Sequence, residues 1–251
     1  MKKILLIFIL AFCVGCLPAK NEITQTSTID ALLAGAYDGQ MTCGEILNYG
    51  NFGIGCFDKL DGEMVILNGK IYQIKSDGRV YRPALNTKTP FATVCNFQPD
   101  IQFPIESADF KKTESIINEK VANQNIFLAV EISGWFKHIK VRSVPAQQKP
   151  YPPLAEVAKQ QPVFEMNDVQ GTIVGFRTPA FAKGLNITGC HFHFISDDFT
   201  FGGHILDFDL VSGRCKIDKC NKFLLILPKG DLLKDIDLSK DKTEELEKVE
   251  K

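Results

Sequence analysis

The sequence predicts an α+β fold: two strand-rich halves with few short helices. Three observations carry that expectation. Short apolar segments recur along the chain, punctuated by Asp61-Gly62, Asn68-Gly69 and Asp77-Gly78, dipeptides that favour tight hairpins. Helical spacing is confined to a few brief windows. The run Lys149-Pro150-Tyr151-Pro152-Pro153 puts three prolines in four residues, which neither a strand nor a helix can continue.

The chain has 251 residues, 45% of them hydrophobic and 24% charged, an ordinary globular composition for one large or two small domains. A net charge of -1, with no basic patch interleaved with aromatics, gives no basis for a nucleic-acid partner. No internal apolar run reaches the roughly 18 residues of a membrane span.

Residues 1–19 read as a secretory signal: Lys2 and Lys3 precede the apolar run Ile4 to Phe12, and small residues follow. Phe12-Cys13-Val14-Gly15-Cys16 resembles a bacterial lipoprotein cleavage box with Cys16 as the lipidated residue, although Cys13 stands where Leu is usual. The alternative is plain cleavage near Ala19. Either route makes this an exported bacterial protein, periplasmic or anchored to a membrane.

Residues 20–30 are polar and read as a spacer. The first half, 31–148, opens with a short helix at Asp30–Tyr37 and continues as strands Phe52–Cys56, Met64–Leu67 and Ile71–Ile74. Glu114–Asn123 has helical spacing, and Ile126–Ile132 and Trp135–Val144 read as a hairpin across Ser133-Gly134. The second half, 149–230, holds a short helix at Leu154–Gln160 and strands at Gly171–Arg177 and Lys222–Leu227. The tail, 231–251, is charged and weakly helical. Beyond the leader, Cys43, Cys56, Cys95, Cys190, Cys215 and Cys220 form no CxxC pair; a Cys215–Cys220 disulfide and free buried thiols both fit the sequence.

The chemistry concentrates in CHFHFISDDFTFGGHILDFDL, which holds three of the chain's four histidines; the fourth is His138. Cys190–Ile195 and His204–Leu210 read as two strands joined by the polar turn Ser196–Gly203. His191 and His193, two apart, share a face. In an antiparallel hairpin, one register sets His204 directly across from His193, where Cβ atoms lie about 5 Å apart. Three imidazoles then converge as a catalytic zinc site with an open position requires. Glu63 and Arg142, read alone, are a turn carboxylate and a solvated strand residue.

Several segments, in order, resemble the acetolactate decarboxylase family: LLAGAYDGQMTCGE, YGNFGIGCFDKLDGEM, YQIKSDGR, KPYPPLAEVAKQQPVF and, most densely, GTIVGFRTPAFAKGLNITGCHFHFISDDFTFGGHILDFDL. Together they cover about residues 30–230. The resemblance implies mixed sheets, a homodimer, and Zn2+ held by His191, His193 and His204. It implies that Glu63 of the LDGE motif and Arg142, ahead of the KPY segment, serve catalysis. A tail Glu reaching the metal region falls on Glu250 by spacing, with Glu247 the alternative. The implied reaction is decarboxylation of 2-acetolactate to acetoin and CO2, through an enediolate stabilised by zinc, with protonation on one face. Cys56 departs from the Thr frequent in the family.

Two other readings use the same residues. A cupin-type dioxygenase also carries His-x-His on a strand, but Asp197 and Asp198 stand where its Glu ligand belongs, and oxygen uptake separates the two. A non-catalytic exported zinc-binding protein would need only the three histidines, and acetoin release from acetolactate separates that one.

Overall fold

Residues 20–250 are described in the computed structural model, Glu250 by its backbone alone. The leader with Cys16, the Glu250 side chain and Lys251 lie outside the described residues. In chain order, the first part comprises β1 (Glu22–Thr26), α1 (Ile29–Leu33), β2 (Met41–Thr42), α2 (Cys43–Ile46), β3 (Phe52–Cys56), β4 (Glu63–Leu67), β5 (Lys70–Ile74), β6 (Val80–Tyr81), β7 (Lys88–Thr89), β8 (Ala92–Cys95), β9 (Ile101–Asp109) and α3 (Phe110–Lys120). There follow β10 (Phe127–Arg142), α4 (Leu154–Ala158), β11 (Val163–Thr178), β12 (Gly189–Ser196), β13 (Gly202–Cys220), β14 (Lys222–Ile226) and α5 (Thr243–Glu250).

The strands form a seven-stranded mixed sheet, β14-β1-β8-β3-β4-β5-β6, and an antiparallel sheet, β10-β11-β12-β13-β9. β10 also pairs with β13, so four strands of the second sheet close into a ring. Its interior is apolar, with Phe136, Phe194 and Phe208 fully buried. The two sheets pack through Ile54, Val65, Val174 and Phe176. This is the α+β class the sequence predicts, strand-rich with mixed and antiparallel sheets and short helices.

The sheets do not divide at the proline run. Lys149–Pro153 links β10 to β11, neighbours within one sheet, and β14 crosses back to pair in parallel with β1. Two further expectations are corrected. Residues 20–30 are no spacer, because β1 sits inside the larger sheet between β14 and β8. Its polar residues are satisfied internally: buried Gln25 donates to the carbonyls of Ser27 (2.8 Å) and Leu185 (2.7 Å) and accepts from Asn186 Nδ2 at 2.6 Å.

Ser133-Gly134 does not turn either. β10 runs straight through it, paired with β11 on one side and β13 on the other. Gly134 serves close approach: a Cβ there would lie 2.4 Å from the Ser212 carbonyl oxygen. The histidine hairpin forms as expected, antiparallel, with His193 directly opposite His204. Cys215 and Cys220 are both free and buried, which decides the question the sequence leaves open.

Candidate metal centre

The centre lies along one row of the antiparallel sheet. Arg142 ends β10 opposite His204 of β13, and His204 stands opposite His193 of β12. His191, two residues earlier on β12, points to the same face. Glu63 arrives from the other sheet as the first residue of β4. The turn before it requires glycine: Gly62 has φ +87°, and a Cβ would lie 2.2 Å from the Ile74 carbonyl oxygen. That tight turn seats Met64 so that its carbonyl accepts from His193 Nδ1 at 2.9 Å. The bond fixes the His193 tautomer and leaves Nε2 with the lone pair, 3.6 Å from Glu63 Oε2.

The three imidazoles are buried, with ring centroids 5.1 Å (His191–His193), 4.9 Å (His191–His204) and 5.4 Å (His193–His204) apart. One nitrogen from each lies within 4.8 Å of the others. His191 Nε2 faces His204 Nδ1 at 3.1 Å. Two nitrogens on a tetrahedral zinc, each about 2.0–2.1 Å from it, stand roughly 3.3 Å apart, so the donor set fits a metal ion of that size. Burial is the largest cause pushing His193 down to about 3 and holding His191 and His204 well below their ordinary value; the Arg142 charge adds to it in all three. All three rings are therefore neutral at ordinary pH, with lone pairs to give.

Arg142 is buried and doubly engaged among the described residues. Nη1 donates to the Val249 carbonyl of α5, and Nη2 lies 3.1 Å from His204 Nε2. The pocket in front of the histidines is lined by Glu63, Arg142 and Cys56 at its polar end. Cys56 stands opposite Glu63 across β3 and β4, and burial together with the Glu63 charge raises its thiol well above the usual value. The other end is apolar, built by Leu32 of α1, Leu154 of α4 and Val249 of α5, three short helices packed into one cap.

The structure thus brings together His191, His193, His204, Glu63 and Arg142. Of the two tail candidates, Glu247 is exposed and absent from the pocket lining, while Glu250 follows lining residue Val249 directly. His138 stays apart on β10, 3.4 Å from Glu165. Sequence reasoning missed the apolar wall. Ile29 sat at the edge of the supposed spacer, and Val249 lay inside a run of charges.

Comparison with known proteins converges on one group. The sequence model of the family described as alpha-acetolactate decarboxylase matches residues 23–240. The chain is 43% identical to the alpha-acetolactate decarboxylase of Methylococcus capsulatus, over 92% of this chain and 89% of that one. It is 44% identical to that of Methanosarcina mazei, over 93% and 81%. The crystal structure of alpha-acetolactate decarboxylase from Bacillus subtilis superposes with a TM-score of 0.89 at 37% identity, covering 91% of this chain and 99% of that one.

Proposed function

The chain belongs to the alpha-acetolactate decarboxylase family and is a carboxy-lyase acting on a small molecule, and from that premise we propose that His191, His193 and His204 hold one zinc ion, beside which Arg142, Glu63 and Glu250 handle the substrate. The observation that carries the proposal is the pair of imidazole nitrogens facing each other at 3.1 Å, with a third close by and all three rings buried. Zinc, when bound, supplies Lewis acidity toward the negative charge left on the ketone oxygen as CO2 departs.

The chain's own residues do the rest. A neutral imidazole has one lone pair, so His204 serving as a ligand has none left to accept from Arg142. Arg142 Nη2 then turns to the substrate carboxylate, a planar donor meeting a planar acceptor. Glu63, buried and first on its strand, delivers a proton to one face of the carbon that has lost CO2. The resulting product is acetoin of one hand. Glu250, at the end of α5, adds a second carboxylate from the tail. The apolar wall excludes water from the carbanion-like carbon.

The test is decarboxylation of 2-acetolactate by the mature protein before and after chelation. Acetoin release should vanish on chelation and return with added zinc. A full rate in protein shown by elemental analysis to be metal-free defeats the proposal. We extend it to assembly and location: family membership supports a homodimer, and the leader supports export. Sedimentation tests the first. Mass spectrometry of the mature N-terminus tests the second, separating a lipidated Cys16 from cleavage near Ala19.

A further inference from the structure

The apolar end of the pocket has an architecture that the metal chemistry does not require. It is closed by a helix from the far end of the chain, lying beyond the family-matched residues 23–240. Val249 is 3% exposed, lines the pocket, and packs in the cluster of Leu32 and Leu154. Leu246, one turn earlier on the same face of α5, packs against that cluster but does not line the pocket. Val249 is also tied to the polar end, because its carbonyl accepts from Arg142, whose other terminal nitrogen contacts His204. Arg142 thus ties this wall to the polar end of the pocket through the Val249 carbonyl. Valine is branched at Cβ and holds few rotamers, so its methyls form a rigid stop.

We propose that Val249 determines specificity by setting the size of the 2-alkyl group that the site accepts, favouring 2-methyl over 2-ethyl 2-hydroxy-3-oxo acids. The inference rests on the decarboxylase reading above. With the substrate carboxylate on Arg142 and the hydroxyl and ketone oxygens toward the histidines, the two methyl groups of 2-acetolactate are left for the apolar lining, and in this proposal the 2-alkyl group is the one set against Val249. A methylene more or less in such a pocket changes kcat/KM by about 10- to 200-fold.

The experiment measures kcat/KM for 2-acetolactate and for its 2-ethyl homologue with wild type, Val249→Ala, Val249→Ile and Leu246→Ala, all full-length and zinc-replete. Val249→Ala should raise the ethyl-to-methyl ratio at least about tenfold. Val249→Ile should lower it, and Leu246→Ala should leave it unchanged. An unchanged ratio in Val249→Ala overturns the proposal. So does an equal rise in Leu246→Ala, which would trace the effect to a loosened helix. If Val249→Ala is inactive on both substrates, the Val249→Ile ratio decides: lowered supports the proposal, unchanged overturns it. Wild type that turns over neither substrate defeats the decarboxylase reading itself, a result distinct from an unmoved ratio.

Discussion

Acidifying the metal-free protein should begin to destabilise it below about pH 6.5, with the histidine cluster setting the slope. Burial is the main reason that His193 binds its proton only at about 3 in the folded chain, against an ordinary value of 6.5. His191 and His204 are held well below that value too. Between these limits the unfolded chain binds protons that the folded chain refuses, so stability is whole above the unfolded value and is lost as pH falls. Each pH unit costs about 1.4 kcal/mol per histidine, and His193 alone therefore removes roughly 5 kcal/mol by pH 3. Three such groups approach a cost of about 4 kcal/mol per unit once the pH is about a unit below the unfolded value, against a total stability on the order of 5–15 kcal/mol. Urea unfolding of the chelated protein, followed by circular dichroism at half-unit steps from pH 8 to 4, reads the slope directly. His193→Gln should flatten it by about a third, since one of three refused protons is gone. A profile flat from pH 7 to 5 refutes the claim that these rings are buried neutral.

Three further outcomes follow from the same geometry. His193→Ala should lose bound metal and acetoin production together, checked by elemental analysis and turnover, because two remaining histidines hold zinc weakly. Arg142→Lys should keep the metal and lose most turnover, on the order of a hundredfold: an ammonium has the charge but not the planar fork that holds the Val249 carbonyl with one nitrogen and meets the substrate carboxylate with the other. Gly175→Ala should destabilise the fold by about 1–3 kcal/mol or more in a thermal melt. The added Cβ would lie 2.1 Å from the carbonyl oxygen of His191, in the pairing that positions its imidazole.

Legibility in the sequence tracked how local the determining contacts are. The meander β3–β4–β5 was readable because Asp61-Gly62 and Asn68-Gly69 set its turns within a few residues. The histidine register was readable because alternation and a short turn leave few ways to pair two strands. β1 was not readable: Thr24, Gln25 and Thr26 look like linker residues, yet Gln25 finds its partner at Asn186, 161 positions away. Nor was the continuity of β10, since Gly134 carries the same sequence signal whether it turns the chain or lets Ser212 approach.

The roles of Glu63 and Arg142 show the same limit inside the site. Apart from the family resemblance nothing local marks either residue: read alone, Glu63 is a turn carboxylate and Arg142 a solvated strand residue. What buries Arg142 is its place opposite His204, 62 residues on, and the α5 carbonyl 107 residues on. What buries Glu63 is the second sheet, which seats β4 against His193 through the Met64 carbonyl. The three histidines are local because donors able to hold one metal ion need fixed mutual geometry, and one hairpin supplies that at least entropic cost. The groups proposed to act on substrate come from other elements: Glu63 from the facing sheet, Arg142 from the neighbouring strand, Glu250 from the tail. A cluster that a single hairpin can build is visible in one line of sequence, whereas a pocket closed on its remaining sides by distant segments becomes visible only once the chain is folded.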